Sequence, residues 1–79
     1  MTLLELSVGQ IALVDSISDS VHGPGLVSRL AAMGIVPNKP IQLLRKAALG
    51  GPLHLRIGST TEIAMRRSEA CLVRINMEE

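Results

Sequence analysis

Glycine and proline interrupt this chain at short intervals from Gly9 to Gly58, and this punctuation limits what the chain can fold into. Most apolar runs between the breaks are long enough for a β-strand and too short for a helix of several turns. No internal repeat, linker or low-complexity tract is present. Short strands joined by tight connections are typical of a small β-barrel. We therefore expect all 79 residues to form one mainly β domain.

The apolar pattern predicts five strands. The segment 53–57 alternates most clearly, with Leu53, Leu55 and Ile57 facing the core and His54 and Arg56 facing outward. A strand at 10–18 breaks its alternation near Val14, which predicts a β-bulge there. The remaining strands are predicted at 41–47, through Ile63 and Met65, and at 72–77, where Val73, Ile75 and Met77 are assigned to the core side.

One helix is predicted, at residues 26–33, between the first two strands. Leu26, Leu30 and Met33 recur at helical spacing and so share the face that packs on the core. Gly34 suits the left-handed residue that ends a helix. Pro37-Asn38 predicts a turn, because proline fixes its φ angle and asparagine tolerates a positive one. A single helical turn is also expected at 67–71, with Ser68 as its cap.

Composition narrows the function classes. The chain is 47% hydrophobic but contains no Phe, Tyr or Trp, so the core is aliphatic and no stacking platform for nucleic-acid bases exists. The net charge is only +1, and seven of the eight basic residues lie in the second half of the chain. A nucleic-acid-binding barrel would have to contact phosphates through this basic set, and we rank that function low. The set is Lys39, Arg45, Lys46, Arg56, Arg66, Arg67 and Arg74.

No arrangement of residues predicts catalysis. Cys71 has no histidine near it in sequence and is interpreted as a small buried hydrophobic residue. His22 and His54 are separated and lack the spacing of metal ligands, and we expect both at the surface. The chain is therefore predicted to be a non-enzyme without a cofactor. With one cysteine, no export leader and no apolar run of the roughly 20 residues that a membrane span needs, it is expected in the cytoplasm.

The order and spacing of the punctuation resemble one protein family along nearly the whole chain. The matching segments are Leu4 and Leu6 before Gly9, Arg29-Leu30 and Met33-Gly34-Ile35 with Pro37, Leu49-Gly50 with Pro52, and Ile63-Ala64-Met65-Arg66-Arg67 with Glu69-Ala70 and Val73. This series resembles ferrous iron transport protein A (FeoA), the small companion of the membrane GTPase-permease FeoB. Ala48 and Gly51 replace a proline and an aspartate of the family pattern, and Asn38 stands where glycine is common.

The resemblance implies an SH3-like five-stranded barrel with one inserted short helix. It also implies an accessory role in ferrous iron uptake, through binding to the cytosolic side of a FeoB-like permease without insertion into the membrane. The barrel is similar to the C-terminal domain of iron-dependent repressors, which implies an alternative function as a metal-sensing or metal-binding module. Weak homo-oligomerisation and the role of the loop 22–25 are left open.

The candidate partner-binding surface is the inserted helix, with Val27, Arg29 and Leu30 as candidate residues. Leu30 belongs to the core stripe, whereas Val27 and Arg29 are expected to be partly exposed. Apolar residues beside an arginine are typical of protein interfaces. The basic strand edge around Arg45 and Lys46 is the second candidate.

Overall fold

The structure, a computed structural model, describes residues 1–18 and 24–77. In this part of the chain five strands form one antiparallel sheet: β1 Ile11–Ile17, β2 Pro40–Lys46, β3 Leu53–Ile57, β4 Thr61–Met65 and β5 Val73–Met77. Their order in the sheet is β4-β3-β2-β1-β5. Helix α1, Pro24–Ala32, lies between β1 and β2, and the short helix α2, Arg67–Ala70, lies between β4 and β5. The predicted mainly β fold with one inserted helix is confirmed.

The core is aliphatic, as the composition requires. In β3, Leu53 and Leu55 are fully buried and Ile57 is nearly so, while His54 and Arg56 on the opposite face are half-buried. The predicted register of this strand is therefore confirmed. The other buried side chains come from the 3₁₀ turn Leu3–Glu5, from both helices and from the other strands: Leu3, Leu6, Ala12, Val14, Leu26, Leu30, Ile35, Ile41, Leu43, Met65, Ala70, Val73 and Ile75.

Two irregularities bend the central strands. The pairing of β1 with β5 shifts register between Val14 and Ser16, which confirms the predicted bulge near Val14. A second shift, between Leu43 and Arg45, occurs where β2 pairs with β3. Because a bulge bends its strand and increases the local twist, the two shifts help the sheet to curl around its core.

Helix α1 ends in the motif that the sequence predicts. Gly34 has a φ of +95°, the left-handed value that glycine adopts without steric cost. The Ile35 N–H donates to the Leu30 carbonyl at 2.9 Å, and the Gly34 N–H donates to the Ala31 carbonyl at 3.0 Å. This pair of bonds is the Schellman arrangement, and it brings Ile35 into the core. The helix begins two residues earlier than predicted, because proline is well tolerated in a first helical turn.

Two predictions around α2 are wrong. Ser68 lies inside this helix, and its cap is Arg66, whose N–H donates to Glu69 Oε1 at 3.3 Å. Cys71 is exposed rather than buried, and its thiol donates to the Ser68 carbonyl at 3.2 Å. Ala70 takes the buried position instead, so the next residue along the helical turn, Cys71, faces solvent.

Two core assignments at the sheet edges are also wrong or incomplete. Met77 pairs with the buried Ala12 and so lies on the predicted face, but it is 39% exposed because it is the last residue of β5. Ile63 is half-buried and packs at the margin of the core, since β4 is an edge strand. No helix in the described segments has the length and apolar character that crossing a membrane requires.

Candidate partner-binding surface

Helix α1 presents the predicted candidate residues at three different depths. Val27 is half-buried, Arg29 is exposed, with 59% of its side-chain surface accessible, and Leu30 is completely buried. Leu30 therefore fixes the helix to the core and offers no contact surface of its own. Of the three candidates, Val27 and Arg29 are the ones that a partner can reach.

An ion pair joins α1 to α2. The Arg29 guanidinium contacts Glu69 Oε2, while the other carboxylate oxygen of Glu69 accepts the Arg66 N–H at the start of α2. The Glu69 carboxylate thus caps α2 and also binds Arg29 of α1. The sequence contained a signal for the cap, because Glu69 stands three residues after Arg66, the spacing of a capping box. The contact between Glu69 and Arg29 joins residues 40 positions apart, so no short sequence motif predicts it.

A second arginine joins α2 to the loop between β2 and β3. Arg67 Nε donates to the Gly51 carbonyl at 2.9 Å, and Arg67 Nη2 donates to the Ala47 carbonyl at 3.2 Å. Both bonds are partly buried, which protects them from competition with water. A continuous series of side-chain contacts therefore runs from α1 through α2 to this loop. Sequence reasoning missed Arg67, which appeared only as one member of the basic set.

The outward face of β2, β3 and β4 carries a groove of about 230 Å³. Its polar residues are Arg45, His54 and Glu62, and its apolar residues are Leu44, Ile63 and Ala64. The strand register places His54 opposite Ala64 and beside the Arg56–Glu62 pair, which forms an ion pair at 3.1 Å. The groove therefore combines both signs of charge with apolar residues in its lining. His54 lies on the outward face, as predicted.

Metal donors are sparse in the described residues. Within 1–18 and 24–77 no group of three or more His, Cys, Asp and Glu side chains is close enough together to hold a metal ion. His54 and Glu62 share the groove, and Cys71 is exposed at the end of α2. His22 and Gly23, the first half of the loop whose role was left open, lie outside the described residues, whereas Pro24 and Gly25 begin α1.

Comparison with known proteins decides the family. The model of the FeoA domain matches residues 1–77, almost the entire chain. The chain belongs to the FeoA family. The resemblance to FeoA, which was based on the order and spacing of short sequence segments, is thereby confirmed. The family links this chain to ferrous iron transport. No curated protein sequence matches the chain.

Solved FeoA structures share the fold. FeoA of Stenotrophomonas maltophilia, solved in complex with zinc and described as a procaryotic SH3 domain protein, is 32% identical with a TM-score of 0.82. The match covers 96% of this chain and 89% of that one. FeoA of Chlorobium tepidum is 30% identical with a TM-score of 0.87, over 100% of this chain and 71% of that one. The SH3-like fold predicted for this FeoA-family chain is confirmed.

The fold also occurs in a protein of another function. A manganese-dependent transcriptional repressor is 19% identical, with a TM-score of 0.86 over 99% of this chain and 41% of the repressor. At this identity the similarity concerns the fold alone. The expectation named the C-terminal domain of iron-dependent repressors, whereas this repressor is manganese-dependent, and what it shares with the chain is the fold.

Proposed function

We propose that this FeoA-family chain is a non-catalytic accessory protein of ferrous iron uptake, which acts in the cytoplasm by binding the cytosolic part of a FeoB-like membrane GTPase-permease. The observation that carries the proposal is the family match over residues 1–77. The FeoA of Stenotrophomonas maltophilia is itself described as a candidate activating factor of bacterial ferrous iron transport. An accessory role of this kind is served by binding the transporter, and the exposed residues of α1 are the surface that we propose for it.

The position of α1 supports a binding role. Strands β1 and β2 pair directly, so the helix inserted between them is not needed to complete the sheet. Leu30 anchors the helix, and Val27 and Arg29 are left for contact. Arginine is enriched among the residues that contribute most to binding energy, because it combines a large apolar surface with a fixed array of donors.

Co-purification of the chain with the cytosolic domain of the permease tests the function. We expect the wild-type chain to be retained by the immobilised domain. Val27→Asp should weaken retention, because it places a charge on the proposed contact surface. Ser28→Asp, an equal charge on an exposed neighbouring position of α1, is the matched control and should leave retention unchanged. Arg29→Glu is a poorer probe, since it would set two carboxylates against each other at Glu69.

The outcomes separate the function from the surface. A wild-type chain that is not retained would show that the proposed function is wrong. Retention of wild type and of Val27→Asp to the same extent would show that α1 is not the contact. Because the chain is proposed to be non-catalytic, the purified protein should release no phosphate from GTP when the permease domain is absent.

A metal-binding module is the second candidate function. It is favoured by the zinc in the Stenotrophomonas maltophilia structure and by the presence of His54 and Glu62 in one groove. Titration with zinc or iron(II), followed by calorimetry, tests it. A saturable one-to-one site that is lost in His54→Ala would support this function. A titration without saturation would exclude it.

A further inference from the structure

The turn between β2 and β3 contains a residue that is poorly suited to its backbone conformation. The Gly51 N–H donates to the Ala48 carbonyl at 3.1 Å, and both central residues have positive φ, +58° at Leu49 and +76° at Gly50. These are the features of a type I′ hairpin turn, in which Asn-Gly is the preferred central pair. Leucine in the left-handed region is strained, because its Cβ approaches the backbone. The turn would be more stable with asparagine than with leucine at position 49.

The strained leucine is also fully exposed. The relative accessible surface of Leu49 is 105%, the highest of the large hydrophobic residues that the structure describes. The second most exposed of them is Val8, at 61%. Neither packing nor backbone preference therefore accounts for leucine here. Strain that the local structure does not require is typical of positions that serve a function.

The base of the turn is held firmly. Arg67 bonds the carbonyls of Ala47 and Gly51, and the Ala47 N–H donates to the Pro52 carbonyl at 3.0 Å. The turn is also closely packed, since a Cβ on Gly51 would lie 2.6 Å from that of Ala47. Leu49 is therefore presented on a fixed support. A residue whose backbone is ordered in advance loses less backbone entropy when it binds.

Two positively charged residues lie at the end of the sheet that carries the turn. Lys46 ends β2 immediately before it, and Arg66 follows β4 at the same end of the sheet, because Met65 pairs with Leu53. Glu69, the acidic residue of this end on α2, is engaged by Arg29 and the Arg66 N–H. The exposed leucine thus projects from the end of the sheet at which Lys46 and Arg66 carry positive charge. A complementary partner has an apolar socket with an acidic rim.

We propose that Leu49 is the apolar anchor of a docking surface, and that it inserts into a socket with an acidic rim on a protein partner. The proposal rests on the proposed function, which places that socket on the cytosolic part of the permease. A fixed backbone at the turn favours a protein partner, because a socket of defined shape benefits from a residue presented at one place and fluid lipid does not. A second copy of this chain is a poorer fit, because the groove that its described residues form carries Arg45 as well as Glu62 and so lacks a uniformly acidic rim.

Substitution of Leu49 separates stability from binding. Leu49→Asn supplies the residue that the turn prefers and removes the anchor, whereas Leu49→Met keeps an apolar side chain. Val8→Ser removes an exposed apolar residue elsewhere and is the matched control. The probe is the purified cytosolic domain of the FeoB-like permease, with affinity measured by calorimetry and melting temperature by circular dichroism.

Leu49→Asn should weaken binding by about tenfold or more, the effect of losing one buried leucine, while its melting temperature stays the same or rises. Leu49→Met and Val8→Ser should bind within about threefold of wild type. If Leu49→Asn binds as wild type does, the docking proposal is wrong and the proposed function stands. If the wild-type chain itself does not bind the permease domain, the proposed function is wrong, and the proposal of a socket on the permease is wrong as well.

Two further measurements identify a different occupant. Binding of wild type to phosphatidylglycerol vesicles, lost in Leu49→Asn while permease binding persists, would overturn the proposal in favour of lipid. A wild-type oligomer in sedimentation that becomes a monomer in Leu49→Asn, again with permease binding intact, would overturn it in favour of a second copy.

Discussion

Within residues 1–18 and 24–77, two turns place a residue other than glycine in the left-handed region, and they differ in how well that residue suits it. Asn38, in the turn before β2, has a φ of +70°, and Leu49, in the turn after β2, has a φ of +58°. Asparagine tolerates this conformation, because its short polar side chain can bond to the local backbone. Leucine does not. The first turn is thus suited to folding, while the second retains a residue that opposes it.

The two turns are also held in different ways. The Asn38 N–H donates to the Val14 carbonyl at 2.7 Å, and the Val14 N–H donates to the Lys39 carbonyl at 3.0 Å, so the backbone of β1 fixes the first turn. The second turn has its own backbone bonds, from Gly51 to Ala48 and from Ala47 to Pro52, and the Arg67 side chain adds two bonds from α2. A turn held in this way, with an unfavourable residue at its tip, is consistent with selection for what that tip contacts.

The largest effect is expected from removing Arg67. Arg67→Ala deprives the Ala47 and Gly51 carbonyls of a charged donor and should lower the free energy of unfolding by about 1.5–3 kcal/mol. Chemical denaturation measures the loss. Arg66→Ala is the matched control, because its exposed side chain can be removed while the backbone cap to Glu69 remains. Equal losses in the two variants would show that Arg67 does not hold the turn.

The next effect comes from making the first turn resemble the second. Asn38→Leu places leucine at a φ of +70° and should cost about 1–2 kcal/mol. The midpoint of urea denaturation reports the change. If Asn38→Leu has no cost, left-handed leucine is not strained in this fold, and the contrast between the turns disappears.

The reverse exchange should give a smaller effect of opposite sign. Leu49→Asn relieves the strain and exposes no new surface, so we expect the free energy of unfolding to rise by about 1 kcal/mol. The same denaturation experiment detects it. A loss of stability would mean that Leu49 contributes to folding despite its exposure.

The smallest effect is expected at the ion pair between α1 and α2. Arg29→Gln removes a charge whose side chain is 59% accessible, and water screens such a pair, so the loss should be less than about 1 kcal/mol. Thermal unfolding at low and high salt measures it. A loss of stability as large as that of Arg67→Ala would contradict this ranking, because it would show that the ion pair between the helices stabilises the fold as much as the hydrogen bonds of Arg67 do.

The features that local sequence determines were predictable. The alternation of Leu53, Leu55 and Ile57, the left-handed Gly34 and the positive φ of Asn38 follow from side-chain period and backbone preference. Burial at the edges of elements was not predictable by the same means. Periodicity assigns Met77 to a face but does not show how exposed the last residue of β5 is, and Cys71 follows the last helical residue of α2.

The candidate surface was only partly visible in the sequence. The spacing of the apolar residues in segment 26–33 indicated α1, but the roles of Arg67 and Glu69 depend on partners 16 to 40 residues away. The strain at Leu49 was hidden, because Leu-Gly before proline predicts a turn without showing which residue takes a positive φ. Leucine is the last residue that backbone preference would place there.

The most direct test of the account is to map the contact on the protein itself. Backbone amide signals can be followed by NMR while the ¹⁵N-labelled 8.4 kDa chain is titrated with the unlabelled cytosolic domain of the permease. The account predicts that the changes concentrate on the turn around Leu49 and on the exposed residues of α1. Changes confined to the turn between β3 and β4, at the opposite end of the hairpin, or no changes at all, would contradict it.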